Sequence, residues 1–185
     1  MKNRFTLSLI LTGCLLVIAS IRADQQVPKK WMVGTELDIV PYIFDGYYLS
    51  AIAGYSNWRV RFVRTDITTP DFMTQSGFED NEINVNAYIV DYYFKKGFKG
   101  WWIGTGYEIW KGEVKQTSSD LTKEYQTEIL TLGGGYTFRF NDYFYLNPWI
   151  GVHLPISGDK EVQFIDETFK IQATPEASIK FGINF

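Results

Sequence analysis

The stretch PEASIKFGINF, residues 175–185, decides the fold. It separates into Pro175, Ala177, Ile179, Phe181, Ile183 and Phe185 on one side and Glu176, Ser178, Lys180, Gly182 and Asn184 on the other. Successive side chains of a β-strand point to opposite faces, so this alternation predicts a strand with one apolar and one polar face. The apolar side runs on to the terminal phenylalanine, so the sheet must meet an apolar medium or partner along its whole length.

The same reading, carried back toward the N-terminus, gives eight segments rich in Val, Ile, Tyr, Phe and Trp, at 31 to 43, 47 to 56, 58 to 66, 82 to 94, 100 to 112, 126 to 140, 143 to 156 and 171 to 185. No stretch between them has a helical period. Their connections alternate in kind. Ser56-Asn57, the run KKGFKG and Asn141-Asp142 are short, while 67 to 81, 113 to 125 and 157 to 170 are long; Asp45-Gly46, a recognised hairpin turn, is the one short member of the second set. Short turns on one side, long loops on the other and an even strand count are the pattern of a bacterial outer-membrane barrel.

The first residues are of another kind. Lys2 and Arg4 precede an apolar run from Phe5 to Ala19, and Ala23 offers a small residue for cleavage, which predicts an export signal over 1–23, a short lead over 24–30 and a barrel over 31–185. Leu11-Thr12-Gly13-Cys14 resembles a lipobox, but apolar residues continue past Cys14, against lipidation. Cleavage after Ala23 removes the only cysteine, and with it any disulfide, and takes the net charge from −3 to −6 through the loss of Lys2, Arg4 and Arg22. The remaining chain has no apolar stretch long enough for a transmembrane helix. No block of Lys or Arg suggests a nucleic-acid surface.

Alternation alone does not separate a membrane barrel from a soluble one with the faces reversed. The aromatics decide. Following the apolar phase of each strand to its short-turn end gives Trp31, Tyr55, Trp58, Tyr93, Trp101, Phe138, Phe140, Phe144 and Phe185, one ring at a single level. Amphipathic aromatics are favoured at a bilayer interface, and a water-soluble barrel gains nothing from such a ring. The opposite face carries Glu36, Asp38, Arg59, Arg61, Asn84, Asn86, Glu108, Arg139, Asn147, Glu176 and Lys180, spaced by glycines. The interior of an eight-stranded barrel is only wide enough for side chains to fill. Buried charges must pair, so Glu36 or Asp38 is expected to meet Lys180 on the last strand or Arg59 and Arg61 across the lumen, leaving no open pore.

With these features the chain resembles the small eight-stranded outer-membrane barrels, the OmpA transmembrane domain, OmpX and OmpW-like proteins, over residues 31 to 185. The resemblance implies an all-β, eight-stranded antiparallel up-and-down transmembrane barrel. It also implies that Ile179, Phe181, Ile183 and Phe185 form the terminal signal read by the barrel-assembly machinery. A monomer among outer-membrane lipids and lipopolysaccharide, with no cofactor, follows from the same likeness. Unlike OmpA-type proteins, the chain is expected to carry no peptidoglycan-binding domain after Phe185.

Two residues fit this register badly. Pro148 has no N–H for the ladder, so a bulge is expected there, and Asp91 lands on the lipid face unless the fourth strand changes phase.

Candidate chemistry is sparse. His153, the single histidine, is placed inward near Ser157, Asp159, Tyr145, Trp149 and Glu108. Outer-membrane lipid-modifying enzymes use His and Ser on such barrels, but no matching motif is present, and the expected role is a hydrogen-bonded lumen residue. The alternative of OmpW-like passage of small apolar molecules would use Tyr48, Ile52, Tyr88, Val90, Trp102, Trp110 and Trp149. The leading expectation is a non-enzymatic structural or surface-interaction barrel acting through acidic external loops. Thr65 to Phe94 holds Asp66, Asp71, Glu79, Asp80, Glu82 and Asp91 with no Lys or Arg, carboxylates that solvent, or divalent cations shared with lipopolysaccharide phosphates, would satisfy. No spacing forms an EF-hand or a zinc site.

Overall fold

A computed structural model of the chain describes residues 31–185. The expected signal over 1–23, the lead over 24–30 and Cys14 lie outside the described residues. Eight strands close into one antiparallel ring: β1 (Trp31–Asp38), β2 (Tyr47–Tyr55), β3 (Trp58–Thr69), β4 (Phe78–Tyr93), β5 (Gly100–Gln116), β6 (Leu121–Arg139), β7 (Phe144–Gly158) and β10 (Thr174–Asn184). Each pairs with its neighbours in sequence, and β1 closes on β10 through Gly34↔Asn184 to Asp38↔Lys180. A separate hairpin, β8 (Glu161–Gln163) with β9 (Thr168–Lys170), follows β7. The protein is therefore an eight-stranded antiparallel up-and-down β-barrel.

The end of the ring that holds Trp31, the short turns and Phe185 is called lower here. At this end Tyr55 pairs with Trp58 across a two-residue turn, in which Ser56 takes φ 61. A left-handed residue at that position lets a two-residue hairpin follow the strand twist. At the upper end the first strand stops early. Its expected run to 43 is cut at Asp38, because Pro41 cannot donate to a ladder and instead occupies the first turn of a short helix, α1 (Val40–Ile43). The Asp38 carboxylate accepts the Val40 N–H at 3.0 Å, which turns the chain out of the sheet.

Most of the expected long loops are strand. β3 runs to Thr69 and β4 begins at Phe78, while β5 and β6, at 17 and 19 residues, are joined by a turn over 117 to 120. These lengths exceed the 9–11 residues or so that a tilted strand needs to cross a bilayer. The surplus forms an upper extension of β4, β5 and β6, and the β8–β9 hairpin folds onto it. Val162, Phe164 and Phe169 of the hairpin bury against Phe78, Val114 and Tyr125, giving the cap its own small core.

The expectation of a bulge at Pro148 is not met. At Pro148 there is no bulge: the β6–β7 ladder passes from Gly135↔Trp149 to Phe138↔Leu146 in unchanged register, so the missing N–H interrupts pairing without adding a residue. The register shift lies higher, between Glu128↔Ser157 and Ile129↔Pro155, at the other proline of β7.

Candidate functional site: a closed lumen between two unlike rims

The inner face alternates along every strand, and in β4 it is the odd-numbered set. Ala87, Asp91 and Tyr93 are buried, while Tyr88 and Val90 are exposed on the outer wall. Alternation in the sequence predicts the opposite phase for this strand. Asn84 and Asn86 therefore leave the lumen: Asn84 pairs outside with Asp66, and Asn86 accepts from Arg64. Tyr93, expected in the outer ring, is 0% exposed and belongs to the core, while Tyr92 and Phe94 carry the outer positions. Asp91 explains the choice. A carboxylate on the apolar wall would have no partner, whereas inside it meets two guanidinium groups.

Those contacts form the centre of the site. Arg59 Nε donates to Asp91 Oδ2 at 2.7 Å and Arg59 Nη1 donates to Glu36 Oε1 at 2.8 Å. Arg61 grips Asp91 with two bonds, Nε to Oδ2 at 2.8 Å and Nη2 to Oδ1 at 3.0 Å, and lies 3.5 Å from Glu36 Oε2. All four side chains are essentially without solvent contact. Two cations and two anions are thus joined across the lumen, the condition under which buried charge is tolerated. Aromatic faces complete the enclosure: the Arg59 guanidinium lies 5.2 Å from the Tyr93 ring centre and 5.1 Å from that of Trp102. Asn147 extends the network, donating to Glu36 at 2.9 Å and accepting from Trp102 Nε1 at 2.8 Å.

A second pair stands on β1 and β10. Lys180 Nζ meets Asp38 Oδ2 at 2.5 Å, and Ser178 donates to the same oxygen at 2.6 Å while accepting from Trp149 Nε1. Arg139 joins neither group. Its guanidinium donates to the carbonyls of Gly97 at 3.0 Å and Asp142 at 2.8 Å, at the lower end.

His153 forms the third cluster. Thr131 donates to Glu108 Oε1 at 2.5 Å, and its oxygen lies 2.9 Å from His153 Nδ1; His153 Nε2 lies 2.6 Å from Glu176 Oε2. Both ring nitrogens are thus engaged by side chains of the barrel, and neither is left free to serve a substrate as a general base. Ser157 and Asp159 are not brought to the ring: the Ser157 carbonyl accepts from Thr127, and the Asp159 carboxylate accepts the Gln126 N–H. Trp110 and Trp149 flank the imidazole instead, at 5.4 and 6.3 Å between ring centres.

Below the charges, the lower mouth is stoppered from the β4–β5 turn. Phe98 takes φ 52 and is 1% exposed, packed with Met32, Ile52, Tyr93, Trp102 and Trp149. A Cβ on Gly54 would sit 2.7 Å from its ring, so glycine there makes room for the stopper. Nothing in KKGFKG, read as a turn, signals that its phenylalanine points in.

The outer wall at this end carries exposed Trp31, Tyr55, Trp58, Trp101, Phe138, Phe140, Phe144 and Phe185. Tyr92 meets Trp58 edge to face at 4.9 Å and Tyr136 meets Trp101 in the same way at 5.1 Å, two members that strand alternation alone does not pick out. Ile179, Phe181 and Ile183 also face outward on β10.

The upper rim differs in charge. Glu82 pairs with Glu113 and Glu113 with Glu124 across the extension, and Asp66, Lys111 and Asp159 line the same open cavity. Asp91, counted with this acidic stretch from sequence, belongs to the lumen instead. Lys115 bridges Glu79 at 2.9 Å and Asp120 at 2.8 Å. Hydrogen bonds to Asp120 and Glu79 hold its ammonium above the usual lysine range, and Lys115 in turn holds the Asp120 carboxyl below its own. Among the described residues, no group of three or more His, Cys, Asp or Glu is arranged to hold a metal ion, and no helix is long and apolar enough to cross a membrane.

A barrel closed to itself, with charges paired inside and apolar side chains outside, defines the class: small eight-stranded antiparallel barrels with a filled lumen. Among solved structures the chain is similar to Neisserial surface protein A (NspA), with a TM-score of 0.52 at 9% identity over 84% of this chain and 93% of that one. It is also similar to the N-terminal β-barrel domain of Pseudomonas aeruginosa OprF, with a TM-score of 0.49 at 11% identity over 84% and 95% of the two chains. No protein-family model and no curated protein matches. At such identity the likeness to NspA speaks to fold alone.

Proposed function

We propose that the protein is an integral barrel of the bacterial outer membrane, exported behind residues 1–23, that acts as a non-enzymatic structural or surface-interaction protein through its acidic upper rim. The observation that carries this reading is the inversion of polarity between wall and lumen. Val33, Leu49, Val60, Phe62, Ile103, Leu132, Ile150 and Ile179 stand exposed around the outside while Glu36, Arg59, Arg61 and Asp91 are buried within. In water such a wall is an aggregation surface; in lipid it is what a spanning strand requires.

The contents of the lumen favour a scaffold over passage. Tyr88 and Val90, two of the residues a path would use, face outward, and the Glu36–Arg59–Asp91–Arg61 network crosses the interior above the Phe98 stopper. His153, with both nitrogens engaged, supports the absence of catalysis. Partners of the same reading are the barrel-assembly machinery, through Ile179, Phe181, Ile183 and Phe185, and lipopolysaccharide around a single copy of the barrel.

Membrane fractionation combined with the mobility of unboiled and boiled samples on a gel tests it. Detergent-dependent extraction and a faster unboiled band are expected; a soluble protein without detergent would sink the proposal.

A further inference from the structure

The β4–β5 turn is built unlike the other two at the lower end. Lys95, Lys96 and Lys99 are all exposed on it, while Ser56-Asn57 has no charge and the β6–β7 turn contributes Asp142. Asp142 is the one acidic residue in these three turns among the described residues. At the upper end the connections instead hold Asp45, Asp71, Asp120, Asp159, Asp166 and Glu167 against the single lysine Lys160 among the described residues.

The lysines are presented from a fixed frame. Phe98 is anchored in the core, Gly97 and Gly100 take φ 85 and 81, and Arg139 holds the Gly97 carbonyl at 3.0 Å. Flanking the turn, Phe94 and Trp101 stand exposed on the outer wall, in line with the aromatic ring. Three ammonium groups therefore sit beside side chains that favour the depth of lipid headgroups.

Resting on the membrane reading above, we propose that Lys95, Lys96 and Lys99 form a docking site for the phosphate headgroups of anionic lipids in the leaflet at the lower end. An ammonium is a compact point charge with three donors, suited to phosphate oxygens without a fixed bidentate geometry. The attraction of each lysine to an anionic surface adds to that of its neighbours and fades within a Debye length, so clustering on one turn matters. A zwitterionic headgroup offers the same phosphate with its own cation beside it, and is bound less well.

The test uses the whole protein in nanodiscs of equal phosphatidylcholine and phosphatidylglycerol, extracted into mild detergent, with retained lipids counted by mass spectrometry. Wild type should retain phosphatidylglycerol enriched roughly fivefold or more over the bulk ratio. The variant K95Q/K96Q/K99Q should fall to the bulk ratio, and K111Q/K160Q/K170Q, with the same charge loss at the upper rim, should keep the enrichment. Added inorganic phosphate at millimolar concentration should leave the retained lipid in place. Equal enrichment in wild type and the lower-turn variant, equal loss in both variants, no enrichment in wild type, or displacement by free phosphate would each overturn the assignment. Failure of wild type to enter the discs would count against the membrane reading instead.

Discussion

Asp91 lies directly opposite Arg59 on the β3–β4 ladder, yet it is Arg61, one inward position higher, that holds its carboxylate with two hydrogen bonds, at 2.8 and 3.0 Å. Asp91 therefore serves two cations at once, and Glu36 on β1 serves the same two from across the lumen. The network is a closed set of two positive and two negative charges. Removing one member leaves an excess charge where water does not reach.

Replacing Asp91 by Asn should accordingly destabilise the barrel by about 3 to 5 kcal/mol, the range for breaking a buried pair. Replacing Asp91 by Leu together with Arg61 by Met removes one charge of each sign and should recover part of that loss. Urea unfolding of the protein refolded in detergent or lipid measures both.

The phase of β4 has a direct chemical readout. A single cysteine at position 92 or 93, labelled with a small fluorophore, should respond oppositely to lipids carrying a quencher on their acyl chains. The label at 92 should be quenched. The label at 93, where Tyr93 is enclosed beside Arg59 and Trp102, should be shielded or should prevent folding.

Phe98→Ala removes the stopper and should cost about 3 to 5 kcal/mol, as large-to-small changes of buried phenylalanines do. Phe94→Ala, four residues earlier on the outer wall, should cost far less. Thermal unfolding midpoints of the two variants, compared in one detergent, give the contrast.

Deleting Phe185 should reduce assembly in cells far more than it reduces the stability of the finished barrel. Its N–H donates to the Val33 carbonyl at 2.8 Å, but the residue is 76% exposed and packs little within the protein. Surface levels of the truncated and full chains, set beside their unfolding in vitro, separate the two effects. Equal surface levels would argue against a recognition role.

These residues also show what the sequence carries and what it hides. The terminal strand is legible because its two faces differ completely, and the ring of eight follows from repeating that test. β4 is not legible by the same test: NVNAYIVDYYF offers an apolar residue in either phase, and the two asparagines tip a simple alternation the wrong way. The arginines resolve it, since Arg59 and Arg61 both face inward and Glu36 alone leaves one cation in excess. Phe98 and the β8–β9 hairpin were hidden for another reason. A turn that folds into the lumen and a loop that supplies Val162, Phe164 and Phe169 to a cap obey no strand period, and only tertiary packing decides where their apolar residues go.

The central claim is that the barrel is sealed by its own side chains, and single-channel recording in planar bilayers tests it most directly. Purified wild type should show rare, small events at most, because the Glu36–Arg59–Asp91–Arg61 network and Phe98 occupy the path in succession. Steady, large, ion-selective conductance from the wild type would mean a water-filled interior and would contradict the account.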